Sequence, residues 1–235
     1  MFNPSSETLE QMMRPGGGVA LPQMSFASSI RSRSGAPQQA IKRLLDVCLA
    51  AALLLVFALP LLIAGLLIQL ESSGPALFRQ RRVGLDGTSF MIWKLRTMRT
   101  DPAPCNTLCQ ARRGDPRVTR IGGWLRCRSF DELPQLVNVL RGEMSLIGPR
   151  PHAPGTCAGG RPFEQISPYY MARHCMRPGM TGLAQVRGWR GETETEDKLL
   201  HRVDSDLEYI ATWSLWLDLV ILVRTLGLMR ACNAY

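Results

Sequence analysis

LRCRSFDELPQLVNVLRGEMSLIGPRP, residues 125–151, is the stretch on which the reading of this chain turns. Two adjacent carboxylates, Asp131 and Glu132, stand at what the pattern predicts to be a helix start. Leu133, Leu136, Val137 and Leu140 follow at helical spacing, and Gly142 marks the stop. Pro134 suits only a first turn, where its missing N–H costs little. Arg126 and Arg128 precede the pair, and Arg141 and Arg150 follow it. Acids at a helix start have an ordinary use, which is to cap free N–H groups and oppose the helix dipole. They have a second use as a carboxylate nucleophile beside a metal ligand, with arginines gripping a phosphorylated substrate. Capping needs neither four arginines nor the Gly148-Pro149-Arg150-Pro151 turn, so the second reading gains.

Working outward, the chain has 235 residues, enough for one or two domains with a sizeable core. Its formal charge of +9, from 28 Lys+Arg against 19 Asp+Glu, favours an anionic partner: nucleic acid, acidic lipid or a phosphorylated substrate. No recognition-helix motif accompanies the charge, so nucleic acid is not expected as a partner. The seven cysteines are odd in number and scattered, which predicts reduced thiols rather than a disulfide framework. Cys105 and Cys109 have no second Cys or His pair nearby to make a zinc site, and the three dispersed histidines make no triad.

Residues 1–40 are rich in Gly, Ser, Pro and Gln and read as a disordered cytosolic tail, without the apolar core of a signal peptide. Val47–Ile68 holds no charge and is long enough to reach across a bilayer core of about 30 Å at about 1.5 Å per residue. Basic residues flank it on both sides: Arg31, Arg33, Lys42 and Arg43 before, Arg79, Arg81 and Arg82 after. The positive-inside rule keeps both flanks in the cytosol, which a straight crossing forbids. A helix bending at Pro60 and returning to the same face satisfies both, with a plain single-pass anchor as the alternative. Ala76–Val83 and Thr88–Lys94 then alternate around Gly84-Leu85-Asp86-Gly87 as a hairpin would. Thr100–Gly114 reads as a linker, Tyr169–Met176 as a short helix, and Arg177–Val186 as a permissive glycine-bearing loop. Glu192–Arg202 reads as an acidic helix start. Leu207–Met229, apolar but interrupted by Asp218 and Arg224, reads as a helix for the membrane–water interface, with Trp213 and Trp216 at its edge.

SFDELPQLVNVLRGEMSLIGPRPHA, together with RPGMTGLAQV at Arg177–Val186 and the segment Gly188–Leu219, resembles the bacterial sugar transferases, the monotopic polyprenol-phosphate hexose-1-phosphate transferases. The likeness runs from about Ile41 to Tyr235. It implies an α+β, mainly helical fold: residues 41–72 a re-entrant membrane helix, residues 73–235 a cytosolic catalytic domain with a small β-hairpin and interfacial amphipathic helices. Such helices usually carry Ser-Pro at the bend, where this chain has Leu59-Pro60. The resemblance also implies Asp131 as nucleophile toward a UDP-sugar, expelling UMP, and undecaprenyl phosphate as acceptor. Asp131 and Glu132 would hold Mg²⁺, a hard cation suited to carboxylate and phosphate oxygens. Lys94, Arg96, Arg126, Arg150, Arg177, Gln185 and Asp206 are its candidates for substrate binding; Arg187 stands where relatives usually carry Asn. GPRPHA, GETET and the terminal Asn-Ala-Tyr point to glucose-1-phosphate transferases that begin exopolysaccharide synthesis, with galactose or an N-acetylated sugar as alternatives. Implied with it are a minimal catalytic form, a place on the cytoplasmic face of the bacterial inner membrane, a homodimer as one allowed state, and downstream glycosyltransferases that use the product. Two rivals fit part of the pattern: a non-catalytic basic adaptor at the membrane surface, and a phosphatase using the same nucleophile with water.

Overall fold

The computed structural model describes residues 35–99 and 114–230; expectations for the N-terminal tail, the 100–113 linker and the last five residues lie outside the described residues. Helix α1, Ala36–Glu71, starts inside the expected tail, with proline in its first turn and Gly35 at its N-cap. It continues unbroken through Pro60. At about 1.5 Å per residue such a helix is about 54 Å long, well beyond a bilayer core. Its most apolar 18-residue window has a mean hydropathy of 2.9, and only 11% of that window is buried. Leu55, Leu59, Leu62 and Leu70 all stand more than 60% exposed. An apolar face of that size marks a contact with lipid or with another protein.

The inner face of α1 is fastened to the rest of the chain over its whole length. Lys42 bonds the Ile147 carbonyl and Asp218, and Asp46 accepts from Ser145 and the Leu146 N–H. Leu49, Leu53 and Leu54 pack on the main core, Phe57 meets Phe130, and Ile68 is buried with Leu95 and Leu125. Glu71 accepts from the N–H groups of Arg120 and Ile121. A single-pass anchor needs about 20 residues clear of the protein body; here both ends and the middle hold the same body. Pro60 supplies no N–H to the Val56 carbonyl, and Val56 is 69% exposed. Such a carbonyl can be satisfied by water but has no partner in hydrocarbon, which penalises deep insertion of a straight α1.

Strands β1 (Leu77–Val83) and β2 (Ser89–Leu95) form the expected antiparallel hairpin, in register from Leu77↔Leu95 to Val83↔Ser89. Helix α2 (Arg120–Cys127) is N-capped by Thr119, and α3 (Gln135–Arg141) ends at Gly142 in the left-handed conformation that glycine alone adopts freely. Gln135, Leu136, Asn138 and Val139 of α3 are buried, whereas Leu140 faces outward. Asn138 of α3 donates to the Met91 carbonyl and accepts from the Trp93 N–H, tying the helix to β2.

Strand β3 (Ser145–Ile147) pairs in parallel with β6 (Gly179–Thr181), inside the segment read as a loop; three residues per strand are too few to show a period. Between them lie a two-residue ladder, β4 (Cys157–Ala158) with β5 (Arg161–Pro162), the single-turn helix α4 (Phe163–Ile166) and a 3₁₀ stretch at Tyr170–Cys175. After the short α5 (Leu183–Val186) comes α6 (Glu196–Thr212), capped by Thr195, so Glu192–Thr195 precede the helix rather than begin it. The expected single helix over Leu207–Met229 is broken at Trp213-Ser214, and α7 covers Leu215–Arg230. Trp216, Leu219, Val223 and Leu226 are exposed on α7 at helical spacing, while Ile221 is fully buried. Cys48, Cys157 and Cys175 are reduced, but Cys127 is disulfide-bonded, against the expectation of reduced thiols throughout.

Candidate active site

The acidic pair sits on a turn the backbone is bent to make. Ser129 takes a left-handed φ of 57°, unusual for a residue with a side chain, and Phe130–Glu132 form one 3₁₀ turn before Pro134 opens α3. The two carboxylates then meet opposite treatment. Glu132 is clamped: Lys94 Nζ donates to Oε1 at 2.8 Å, Arg150 Nη1 donates to Oε2 at 3.0 Å, and Arg150 Nη2 also bonds Oε1. Burial alone would push the Glu132 carboxyl up, but Arg150 and Lys94 outweigh it and hold it well below the usual carboxylate range. Asp131 is 8% exposed, and among the described residues no donor bonds its carboxylate. Burial and the Glu132 charge raise its pKa, and Lys94, Arg126 and Arg150 offset only part of that. The site therefore holds one fixed carboxylate and one free, poorly solvated carboxylate.

Arg150 is itself held from behind. The wholly buried Arg173 donates to the Arg150 carbonyl at 2.6 Å, to Asp206 at 3.0 and 2.5 Å, and to His152 Nδ1 at 2.8 Å. Because a guanidinium only donates, Nδ1 must accept, which puts the imidazole proton on Nε2. Burial and the Arg173 charge keep His152 neutral, well below its usual pKa. The turn before Arg150 is tight. A Cβ on Gly148 would lie 2.5 Å from the Arg177 carbonyl oxygen, and one on Gly182 would lie 2.3 Å from the Gly148 oxygen. Glycine is what lets these backbones approach.

Of the residues expected at the site, Lys94, Arg126 and Arg150 join Asp131 and Glu132. Arg126 also bonds Thr97 Oγ1 at 2.7 Å. Arg96 is committed elsewhere, capping the end of α1 through the carbonyls of Ile68, Ser72 and Ser73. Asp206 is sealed against Arg173 and reaches the site only through Arg150. Arg177 donates to the Gly142 carbonyl at the end of α3, and Arg187 pairs with Glu208. Gln185 is buried with neither side-chain amide atom bonded. Sequence reading missed Asn138, Arg173 and Arg190. The first two carried a signal: a polar residue on an apolar helix face, and an arginine amid Met171-Ala172 and His174-Cys175.

Among the described residues no three His, Cys, Asp or Glu side chains cluster to cage a metal. Mg²⁺ is commonly held by one or two carboxylates together with substrate phosphates. The unbonded oxygens of Asp131 suit that mode, with Glu132 beside it available only if it yields part of its clamp.

The family model for bacterial sugar transferases matches residues 37–231. The chain belongs to the bacterial sugar transferases. It is 51% identical, over its whole length and 80% of the relative's, to the UDP-glucose:undecaprenyl-phosphate glucose-1-phosphate transferase of Caulobacter vibrioides. It is 51% identical over 79% of its length to the undecaprenyl-phosphate glucose phosphotransferase of Komagataeibacter xylinus, and 48% identical over 79% to the exopolysaccharide production protein PSS of Rhizobium leguminosarum. This sugar transferase spans 92% of the Rhizobium relative but 35% of the Komagataeibacter one.

Proposed function

We propose that this sugar transferase moves glucose 1-phosphate from UDP-glucose to undecaprenyl phosphate, with Asp131 as the covalent nucleophile. The observation that carries the reading is the contrast within the pair: Glu132 fixed by two cations, Asp131 buried and unbonded beside it. The named activities of relatives at 51% identity supply the substrates.

Asp131 attacks the sugar-linked phosphorus; the bond to the bridging oxygen breaks and UMP leaves with that oxygen. An oxygen of undecaprenyl phosphate then attacks the same phosphorus, the aspartyl–phosphorus bond breaks, and the carboxylate is restored as the lipid diphosphate sugar departs. Two steps let one pocket serve a soluble donor and a lipid acceptor in turn. Lys94 and Arg150 keep Glu132 ionised and oriented, and Arg126 adds charge beside Asp131 that favours its ionised, nucleophilic form. Phosphoryl transfer depends chiefly on such fixed electrostatics. Mg²⁺, which Asp131 and Glu132 would hold, supplies charge neutralisation at the diphosphate when bound.

The exposed apolar faces of α1 and α7 seat the domain on the cytoplasmic leaflet of the inner membrane; for α1 to enter and leave by the same face, the helix that runs unbroken through Pro60 must bend there on insertion. The product then passes to glycosyltransferases of exopolysaccharide assembly. Purified protein is incubated with Mg²⁺, undecaprenyl phosphate and a panel of UDP-sugars, and UMP and lipid product are measured. UDP-glucose is expected to be the preferred donor, with Asp131→Asn inactive and a phosphosugar adduct on Asp131 visible by mass spectrometry. Undiminished turnover in Asp131→Asn sinks the reading, and release of inorganic phosphate or free sugar phosphate assigns a hydrolase instead.

A further inference from the structure

Arg150 cannot serve the donor freely, because its guanidinium is largely spent. Both terminal nitrogens bond Glu132, and one also bonds the Met180 carbonyl. Lys94 is likewise occupied by Glu132. The donor's diphosphate still needs donors, and the structure holds one in reserve.

Arg190 stands within electrostatic range of both Arg150 and Glu132, half-buried and, among the described residues, without a carboxylate partner. Its one side-chain hydrogen bond among the described residues is a long one, Nη2 to Ser129 Oγ at 3.3 Å. Burial and then the Arg150 charge lower its pKa, with Glu132 only partly compensating. A half-buried guanidinium crowded by another cation is unfavourable unless an anion arrives to relieve it.

The loop bearing Arg190 is built to keep it there. Gly188 and Gly191 turn the chain with φ of 93° and 82°. From α6, the buried Arg202 donates Nε to the Trp189 carbonyl at 2.6 Å, Nη2 to the Gly191 carbonyl at 2.7 Å, and Nη1 to Thr193 Oγ1. The Trp189 ring stacks on His201 at 4.4 Å and 8°. Three bonds and a stacked pair immobilise the residues on both sides of Arg190 while leaving its own side chain nearly unbonded. A loop held only for its own stability has no need of a half-buried, weakly bonded guanidinium set against Ser129, on the turn that carries Asp131 and Glu132.

We propose that Arg190 binds the diphosphate of the nucleotide-sugar donor, and that Arg150 acts beside it mainly by positioning Glu132. This rests on the reading of Asp131 as nucleophile, and its test separates the two. The nucleotide-sugar donor and the acceptor lipid both carry phosphate that a guanidinium could bind, so both substrates are titrated. Steady-state turnover is measured for wild type, Arg190→Gln, Arg190→Lys and Ser129→Ala, with UDP binding by calorimetry on the Asp131→Asn background.

Arg190→Gln is expected to raise KM for the UDP-sugar and weaken UDP at least tenfold, leaving KM for undecaprenyl phosphate within twofold. Arg190→Lys should fall between, because it keeps the charge and loses the fork. Ser129→Ala, which removes the partner but not the guanidinium, should stay within threefold of wild type for UDP-sugar KM. If Arg190→Gln does not fold, Arg190→Lys carries the test alone, with a threefold loss of UDP affinity as the threshold. The proposal is overturned if UDP-sugar KM and UDP affinity stay within twofold, if only the lipid KM moves, or if Ser129→Ala reproduces the Arg190→Gln defect. Should Asp131→Asn remain active, the nucleophile reading fails whatever Arg190 does.

Discussion

Asp131→Asn and Glu132→Gln, neutral substitutions of adjacent carboxylates, should move thermal stability in opposite directions. Asp131 carries a buried charge with no hydrogen bond among the described residues. Removing it relieves a desolvation cost of about 1 kcal/mol, the low end for an unsatisfied buried group. For a chain of this size that is a rise in Tm of about 2–4 °C. Glu132 is the partner of Lys94 and Arg150, and neutralising it strands two cations. Breaking a fully buried pair costs about 3–5 kcal/mol; with Lys94 and Arg150 side chains 19% and 35% exposed, water recovers part, leaving about 2 kcal/mol. The pH dependence gives the check. Asp131 has a raised folded pKa, so its destabilising effect is complete above that pKa and absent below the unfolded value. The advantage of Asp131→Asn should therefore be full above the raised pKa and fade as pH falls through it toward the unfolded value. Glu132 has a depressed folded pKa, so its stabilisation is present above the unfolded value and is lost only as pH falls toward the folded one. The deficit of Glu132→Gln should thus persist further into acid than the advantage of Asp131→Asn. Scanning fluorimetry of both variants from pH 8 down to pH 4 reads this directly. If Asp131→Asn melts below wild type at pH 8, the carboxylate is not the unpaired group described here.

Gly148→Ala forces a Cβ to within 2.5 Å of the Arg177 carbonyl oxygen and should separate β3 from β6, costing at least 2 kcal/mol by the ~1–3 kcal/mol scale of overpacking and lowering kcat through misplaced Arg150; an unchanged Tm would refute it. Arg173→Lys retains charge but cannot bond Asp206, His152 and the Arg150 carbonyl together, so turnover should fall on the order of 10²-fold, the scale of losing an electrostatic donor, with less effect on donor KM. A rise in KM with kcat unchanged would contradict the positioning role. The acid limb of kcat/KM should lie above the usual carboxylate range and shift to lower pH in the residual activity of Glu132→Gln, because the Glu132 charge raises Asp131 while the freed Lys94 and Arg150 lower it; a shift to higher pH would reverse the assignment. Chelation of Mg²⁺ should abolish turnover reversibly without moving Tm by more than about 2 °C, since among the described residues no side-chain cage depends on the metal.

The hairpin and α3 were legible because their signals are local. Alternation around Gly84–Gly87 and the Pro134-to-Gly142 frame each specify an element without help from distant residues. The β3–β6 pair was not, because its register is set by Gly148, Gly179 and Gly182 meeting across more than thirty residues of chain. The site divided in the same way. Asp131, Glu132, Arg126 and Arg150 announce themselves by charge density near one turn, whereas Lys94 is legible only through the family resemblance. Arg96, Arg177 and Asp206 look equivalent in sequence, yet they are absorbed by a helix end, another helix end and a buried arginine. Which arginine meets a carboxylate, which meets a carbonyl and which stays free is decided by tertiary geometry alone.

The same accounting explains why α1 belongs to the site's architecture as well as to the membrane. Ile147, the residue before the Gly148–Arg150 turn, has a carbonyl that accepts from both Lys42 of α1 and Tyr209 of α6. Lys42 and Tyr209 also share Asp218 of α7, at 2.7 Å each, and the Trp213 indole donates to it as well. One carboxylate thus joins the root of the apolar helix, the strand that delivers Arg150 and the outer helix with the exposed apolar stripe. Fixing those three together sets the depth of Asp131 relative to both apolar faces. With those faces on a bilayer, as proposed above, a phosphate borne on a membrane lipid would reach a buried carboxylate without the lipid leaving its leaflet.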